Sequence, residues 1–450
     1  MNMKNLLSTL FLAAVVSGCA TAQLTPVSPA DGTTVPTLSA GQKAYTQMAR
    51  KERVAYFASP SKRKEMKALG YYPQPIKLQW NGGSAKTSKV VVKRLPDGKV
   101  FFSAETDKNF VEVDNLEIAR TYEWTVTSGE EVFTSKFSTE DQAPRLIRVP
   151  GVPNVRDLGG RIGLNGRRVK QGRVIRTAGL NDNASALYLS REEAQRAGLL
   201  TPEVLKKEKA LQDHIARYRG YQANPKTFDI KHKGWQAFAK QDKSRTLADY
   251  FKYRIEGDEA SLKRLYRDTK RAVPGKNRVP EGSDGRDYLL NVIGIKSDID
   301  LRSDGECYGM TGSPLGPTVT WFHYSSSAYA GMQSKSGKEA FTKVFKVFLD
   351  EKNYPIDFHC IAGQDRTGAV AFILNGLLGV KEEELYLDWE VTGFWNGSSS
   401  FNHRRLFDHL VSGFKDKVPG ATLHEKIENY VISLGFTKAD IEKFRSFMLE

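Results

Sequence analysis

The spacing of apolar positions changes along the chain, and each change predicts a different kind of element. Residues 38–69 carry Ala44, Met48, Val54 and Tyr56 among many Lys and Arg, a helical texture. From Ile76 the pattern alternates residue by residue in short runs, at 76–80, 89–93, 110–113 and 121–126. Asn81-Gly82-Gly83, Pro96-Asp97-Gly98 and Ser128-Gly129 part these runs as turns. Strands of that length and spacing predict an all-β sandwich. Past Pro144 strands alternate with helices. Hydrophobic runs at 295–301, 319–324 and 354–359 read as strands, and the last enters a glycine-containing loop followed by an apolar helix over 369–378. This order predicts an α/β domain, a mostly parallel sheet flanked by helices.

Two further segments complete the organisation. Residues 183–287 form a Lys- and Arg-rich helical stretch, with helix starts marked by the capping-box pattern Ser190-x-x-Glu193 and by Thr201-Pro202. It reads as an insertion over the edge of the sheet or the rim of a site. Residues 424–449 read as two helices joined at Gly435, the second capped by Thr437. The expected division is therefore a β-sandwich over 20–145 with a helical insertion near 38–70, then an α/β domain over 146–450 with an insertion near 183–287. Residues 1–19 are set apart as a targeting segment: Lys4 precedes an apolar stretch over 6–16 that is too short to span a bilayer. It closes on Val16-Ser17-Gly18-Cys19, which resembles a bacterial lipobox. That resemblance implies cleavage before Cys19, lipidation of Cys19, and a cell-envelope location in the periplasm or at the outer membrane, with acyl chains as the membrane anchor. The alternative is an ordinary secretory signal in which Cys19 is incidental.

The chemistry is concentrated in His359-Cys360-Ile361-Ala362-Gly363-Gln364-Asp365-Arg366-Thr367-Gly368, a string H-C-x5-R-T-G placed between a strand and a helix. A seven-residue turn from Cys360 to Arg366 can wrap a tetrahedral oxyanion with successive N–H groups, and the following helix offers its N-terminus to the same anion. That field favours a thiolate at Cys360. Arg366 supplies a planar fork for two phosphate oxygens, and Thr367 can donate to the sulfur when it leaves. Gly363 is expected to let the backbone approach the oxyanion closely, and His359 to assist by hydrogen bonding. Ile361, Ala362, Gln364 and Gly368 complete the predicted substrate-binding loop. Cys307 reads as a small core or loop residue, with a resolving partner for Cys360 as the alternative.

This loop resembles the signature of the protein-tyrosine phosphatase superfamily. Asn154-Val155-Arg156-Asp157-Leu158-Gly159-Gly160 is similar to the N-[FV]-R-D-L-G-G opening of a bacterial and fungal branch. Val174-Ile175-Arg176-Thr177-Ala178 and Asp300-Leu301-Arg302-Ser303-x-x-Glu306 are similar to two further segments of that branch, in the same order. The resemblance implies a phosphocysteine mechanism without a metal or other cofactor, and a supporting role for Arg156, Asp157 and Arg302 beneath the phosphate loop. Two features depart from it. Gln364 stands where many members of the branch carry a lysine associated with highly charged phosphates. The loop over 323–329, where many superfamily members carry their general acid, has no Asp or Glu. The best candidate for the acid is then Asp365, ahead of Asp298, Asp300 and Asp304. The N-terminal strands, with Leu78 and Trp80, Leu116 six residues before Tyr122, and a closing Phe137-Ser138-Thr139, resemble a fibronectin type III module.

The net charge of +15 favours anionic partners. The basic residues are dispersed and carry no nucleic-acid-binding fingerprint, so nucleic acid is not expected as a partner. His214, His232, His323, His359, His403, His409 and His424 fall in no metal-ligand spacing. The run His403-Arg404-Arg405, ahead of a helix over 406–414, reads as a solvated face, with contact to an anionic substrate as the alternative. The expected partner is a phosphorylated protein, peptide or small anionic phosphate. A phosphatase acting on phosphotyrosine leads. Inositol polyphosphates are a second substrate class, and a catalytically inactive envelope binding protein is the alternative outside enzymes.

Overall fold

The structure is a computed structural model that describes residues 23–241, 245–397 and 401–450. The lipobox-like segment and Cys19 lie outside the described residues. None of the helices described is long and apolar enough to cross a membrane.

The N-terminal strands form two sheets. Strands β1 (Thr25–Ser28), β3 (Ile76–Asn81) and β6 (Phe110–Val113) make one, in the order β1-β3-β6. Strands β2 (Thr33–Val35), β4 (Ser88–Arg94), β5 (Val100–Thr106), β7 (Thr121–Ser128) and β8 (Glu131–Thr139) make the other, in the order β2-β8-β7-β4-β5. Alternation along β3 and β7 buries Leu78, Trp80, Tyr122, Trp124 and Val126 and leaves their neighbours toward solvent. These side chains from both sheets share one core with Val90, Val92 and Phe137. Within it the Tyr122 hydroxyl accepts the Glu117 amide at 2.8 Å.

Helices α1 (Ala40–Gln47), α2 (Arg50–Ala58) and α3 (Pro60–Ala68) follow β2 in sequence, yet their buried faces belong elsewhere. Tyr45, Phe57 and Met66 join the core of the α/β unit, whereas Met48 and Tyr56 are only partly buried against it. Ser59 ends α2 and caps α3, with Pro60 in the first turn of α3, so a new helix starts there.

The α/β unit is built on a five-stranded sheet. Strand β9 (Arg156–Asp157) pairs antiparallel with β10 (Val174–Thr177), and β10, β13 (Ser297–Asp300), β14 (Thr320–His323) and β15 (Ile356–His359) run parallel, in the order β14-β13-β15-β10-β9. β10, β13 and β15 are buried on both faces, as a sheet covered by helices requires, while the edge strand β14 is partly exposed. Between β10 and β13 come an antiparallel ribbon, β11 (Ser185–Tyr188) with β12 (Arg267–Val273), and helices α4 (Arg191–Arg196), α5 (Pro202–Ala223), α6 (Lys233–Gln241), α7 (Leu247–Leu265) and α8 (Asp284–Asp287). Ser190 and Thr201 cap α4 and α5, and Tyr218, Phe228, Tyr250 and Phe251 give α5 to α7 an aromatic core of their own.

Helix α9 (Lys335–Phe348) precedes β15, and α10 (Asp365–Leu377) follows it. From Thr367 onward every residue of α10 is buried, because α11 (Glu382–Glu390), α12 (Gly393–Asn396), α13 (Phe401–Lys417), α14 (Leu423–Ser433) and α15 (Lys438–Met448) complete the layer around it. Thr437 caps α15 with a reciprocal Asp440 contact.

Candidate active site

Parallel register aligns the ends of three strands. Thr177 of β10 and Asp300 of β13 both pair with His359 of β15, and Asp300 also pairs with His323 of β14. The loop over 360–364 therefore leaves from the carboxyl edge of a parallel sheet and feeds directly into α10, the place where such sheets hold ligands.

The hydrogen bonds of this loop determine its shape. Its carbonyls are engaged on the outside: Ile361 O accepts the Gly179 amide at 3.0 Å, Ala362 O accepts Asn154 Nδ2 at 2.7 Å, Gly363 O accepts Arg176 Nη2 at 2.5 Å, and Gln364 O accepts the Gly368 amide at 3.0 Å. His359 Nδ1 lies 3.2 Å from Cys360 O. The amides of Ile361, Ala362 and Gly363 donate to no group among the described residues. With α10's first-turn amides, which a helix leaves without internal partners, they form a set of donors suited to an anion. Gly363 has φ +63°, and a Cβ there would lie 2.3 Å from Thr177 O. Its glycine is thus required by the close approach of β10, whereas the sequence had suggested room for the oxyanion.

Cys360 is buried, 2% exposed, and both Cys360 and Cys307 are free thiols. Burial pushes the Cys360 thiol up, but the Arg366 charge and the Thr367 hydroxyl and amide outweigh it, so it ionises below its ordinary value. Arg366 is gripped by Glu306: Nη1 lies 2.7 Å from Oε2 and Nη2 3.2 Å from Oε1. A guanidinium has five N–H donors, so this clamp fixes its plane and leaves donors for a phosphate. Cys307 is not beside Cys360 in any contact. Its thiol donates to Asp300 Oδ2 at 3.2 Å, and burial together with Asp300 pushes it well above the ordinary thiol range. A small buried residue is the role this geometry gives it.

His359 is fully buried under the loop, not on it. Burial alone would lower its pKa, but Asp300 and Asp298 push it up to about 9, and Nε2 lies 3.1 Å from Asp298 Oδ1. Asp298, Asp357 and His359 bring possible metal-ligand atoms within 4.8 Å of one another. A protonated His359 supplies the positive charge that Asp298 and Asp300 need. The cluster acts as a charged floor beneath the nucleophile.

The three supporting residues divide. Arg156 reaches the loop through an intermediary: its Nη1 holds Asn154 Oδ1 at 2.5 Å, and Asn154 in turn holds Ala362 O. Arg302 is locked to Asp300, with Nη2 2.6 Å from Oδ2, and donates to Asn181 Oδ1 at 2.7 Å. It thereby steadies the turn whose Gly179 amide holds Ile361 O. Asp157 does not touch the loop. Lying on the edge strand β9, it accepts Arg145 Nη1 at 2.8 Å and the amides of Gly159 and Gly172, while Arg145 also donates to Leu116 O and Asn115 O. Asp157 instead ties the N-terminal strands to the α/β unit.

Sequence reasoning passed over several residues that structure this site. Arg176, inside a motif noted for its order alone, holds Gly363 O and pairs with Asp388, around which Arg156 and Arg161 also gather. Those charges hold the buried Asp388 carboxylate below the usual range despite its burial. Glu306 was visible as a motif position, but not as the partner of Arg366. Ile361 is 40% exposed at the mouth of the loop. Gln364 is buried and accepts Asn396 Nδ2 at 3.2 Å, directed into α12. The expectation of a solvated His403-Arg404-Arg405 face is wrong at Arg404, which is fully buried 2.9 Å from Glu390. The reason is Glu390: a buried carboxylate needs cations, and Arg404 and Arg53 supply them.

Asp365 opens α10. Its Oδ1 accepts from the Tyr329 hydroxyl and lies 3.0 Å from His403 Nδ1. Neither partner was predicted, because each is distant in sequence.

Thiol, guanidinium and unused amides on a strand–loop–helix define a site for nucleophilic attack on a bound oxyanion. Residues 147–190 and 280–450 match the tyrosine phosphatase family. That match supports a phosphatase of the protein-tyrosine phosphatase type for this part of the chain, and it omits 191–279, where α4 to α7 and β12 lie. No curated protein matches the chain.

Proposed function

We propose that this protein hydrolyses phosphate monoesters through a phosphocysteine intermediate, with phosphotyrosine in proteins or peptides as its substrate. The observation that carries this reading is the loop over 360–364: carbonyls bound outward, amides unused, around a thiol held below its ordinary ionisation. Cys360 attacks phosphorus, Arg366 and the loop amides hold the equatorial oxygens, and Asp365 protonates the leaving oxygen. Arg156 and Arg302 steady the loop from behind. Cys360→Ser and Arg366→Ala should each reduce hydrolysis of 4-nitrophenyl phosphate to a trace. Turnover by Cys360→Ser at more than a few per cent of the parent rate would overturn the mechanism.

Inositol polyphosphates form a second substrate reading, favoured by the net charge of +15 and opposed by the neutral, buried Gln364. Rates on a phosphotyrosine peptide and on inositol hexakisphosphate separate the two. The N-terminal strands are read as a fibronectin type III-like module, and the chain as anchored in the cell envelope through lipid on Cys19. Labelling with a fatty-acid analogue that is lost in Cys19→Ser is the expected result, and labelling unaffected by that change would remove the anchor.

A further inference from the structure

The turn between β14 and α9 lacks a carboxylate, yet it reaches the acid. Tyr329 in that turn is buried in the main core and adopts φ +53°, a left-handed conformation strained for a bulky aromatic residue. Its hydroxyl donates to Asp365 Oδ1. From α13, His403 places Nδ1 3.0 Å from the same oxygen, and the two rings meet edge to face with centroids 6.5 Å apart. Two elements far apart in sequence thus converge on one atom of a residue at the start of α10. The Cys360 sulfur is close enough to feel the charge of this carboxylate.

We propose that Tyr329 and His403 are positioning residues for Asp365, holding Oδ1 so that Oδ2 faces the leaving group and carries the proton. This deepens the reading of Asp365 as general acid and rests on it. In the first step the Cys360 sulfur forms the S–P bond, the ester P–O bond breaks, and the Oδ2 proton passes to the departing oxygen as the alcohol leaves. In the second step water forms a P–O bond as the S–P bond breaks, and the Asp365 carboxylate takes the water's proton while the thiolate and phosphate are released. Between the steps Asp365 is ionised, and hydrogen bonds onto Oδ1 are strongest toward that form. A carboxyl held at one oxygen does not have to be reoriented in either step.

The test compares leaving groups. Phenyl phosphate needs protonation of its departing oxygen far more than 4-nitrophenyl phosphate does. Tyr329→Phe and His403→Ala should each lower kcat on phenyl phosphate by about tenfold, a fraction of what a general acid contributes, while the loss on 4-nitrophenyl phosphate stays below about threefold. KM should hold in both, and His403→Asn, whose amide can donate from near the place of Nδ1, should recover most of the loss. Equal losses on the two substrates, or a change confined to KM, would overturn the proposal. Asp365→Asn is the reference. If it shows no dependence on leaving group, the acid reading itself fails. If it shows that dependence and neither Tyr329→Phe nor His403→Ala does, only the positioning role is lost.

Discussion

At the scale of single residues, the site is a set of charges whose burial is tolerated because each is answered. Arg366 by Glu306, Asp388 by three arginines and Glu390 by Arg53 and Arg404 are paired at contact distance. Removing one partner from the fully buried Asp388 or Glu390 clusters leaves the other charged and unsolvated, at a cost of roughly 3–5 kcal/mol. Cys360 differs, since the proposed phosphocysteine mechanism requires its charge. The Thr367 hydroxyl is buried beside the Cys360 sulfur, and its hydrogen bond there favours the thiolate. The thiolate fraction rises as pH rises through the Cys360 pKa. Thr367→Val should therefore move the midpoint of iodoacetamide inactivation to higher pH, with slower alkylation below it. An unmoved midpoint would leave Arg366 and the helix as the sole causes.

At the scale of elements, β13 and β15 carry the buried acids that set how the fold responds to pH. Burial pushes Asp357 up to about 8, and Asp300 and Asp298 push His359 up to about 9 against the effect of its burial. Both values lie above those of an unfolded chain, about 3.9 for Asp and about 6.5 for His. The native state therefore binds more protons than the unfolded state at neutral pH, and stability falls as pH rises. The His359 contribution is complete below about pH 6.5 and is lost through about 9. Asp357→Asn mimics the protonated acid, so its thermal midpoint should decline less steeply between pH 6.5 and 9 than the parent's. Parallel declines in the two proteins would show that Asp357 does not hold the extra proton.

At the scale of the whole molecule, the helices that interrupt the N-terminal strands belong energetically to the catalytic unit. Burying Phe57 against Trp389, ring centroids 5.6 Å apart, contributes roughly 1.5–3 kcal/mol to joining the two. Met66 fits against Gly393, where a Cβ would lie 2.4 Å from its sulfur. The Arg53 to Glu390 ion pair and the Arg145 to Asp157 bridge add charged ties between the same two parts. The N-terminal segment thus braces α11 to α13, and α13 carries His403 to Asp365.

The loop of the candidate site was legible in the chain itself because its groups are local: thiol, amides, arginine and helix start occupy nine consecutive positions, 360–368. Strand periods, turn residues and caps at Ser190, Thr201 and Thr437 were legible for the same reason, each depending on neighbours a few residues away. Tertiary structure alone decided the partners. Glu306 reaches Arg366 across 60 residues, Arg176 reaches Gly363 across 187, and Asn154 reaches Ala362 across 208. It also moved Asp157 from loop support to a bridge between units and turned Arg404 from an expected surface residue into a buried counter-ion. A side chain's partner depends on which strand lies beside it and which helix covers it, and local spacing carries no record of either.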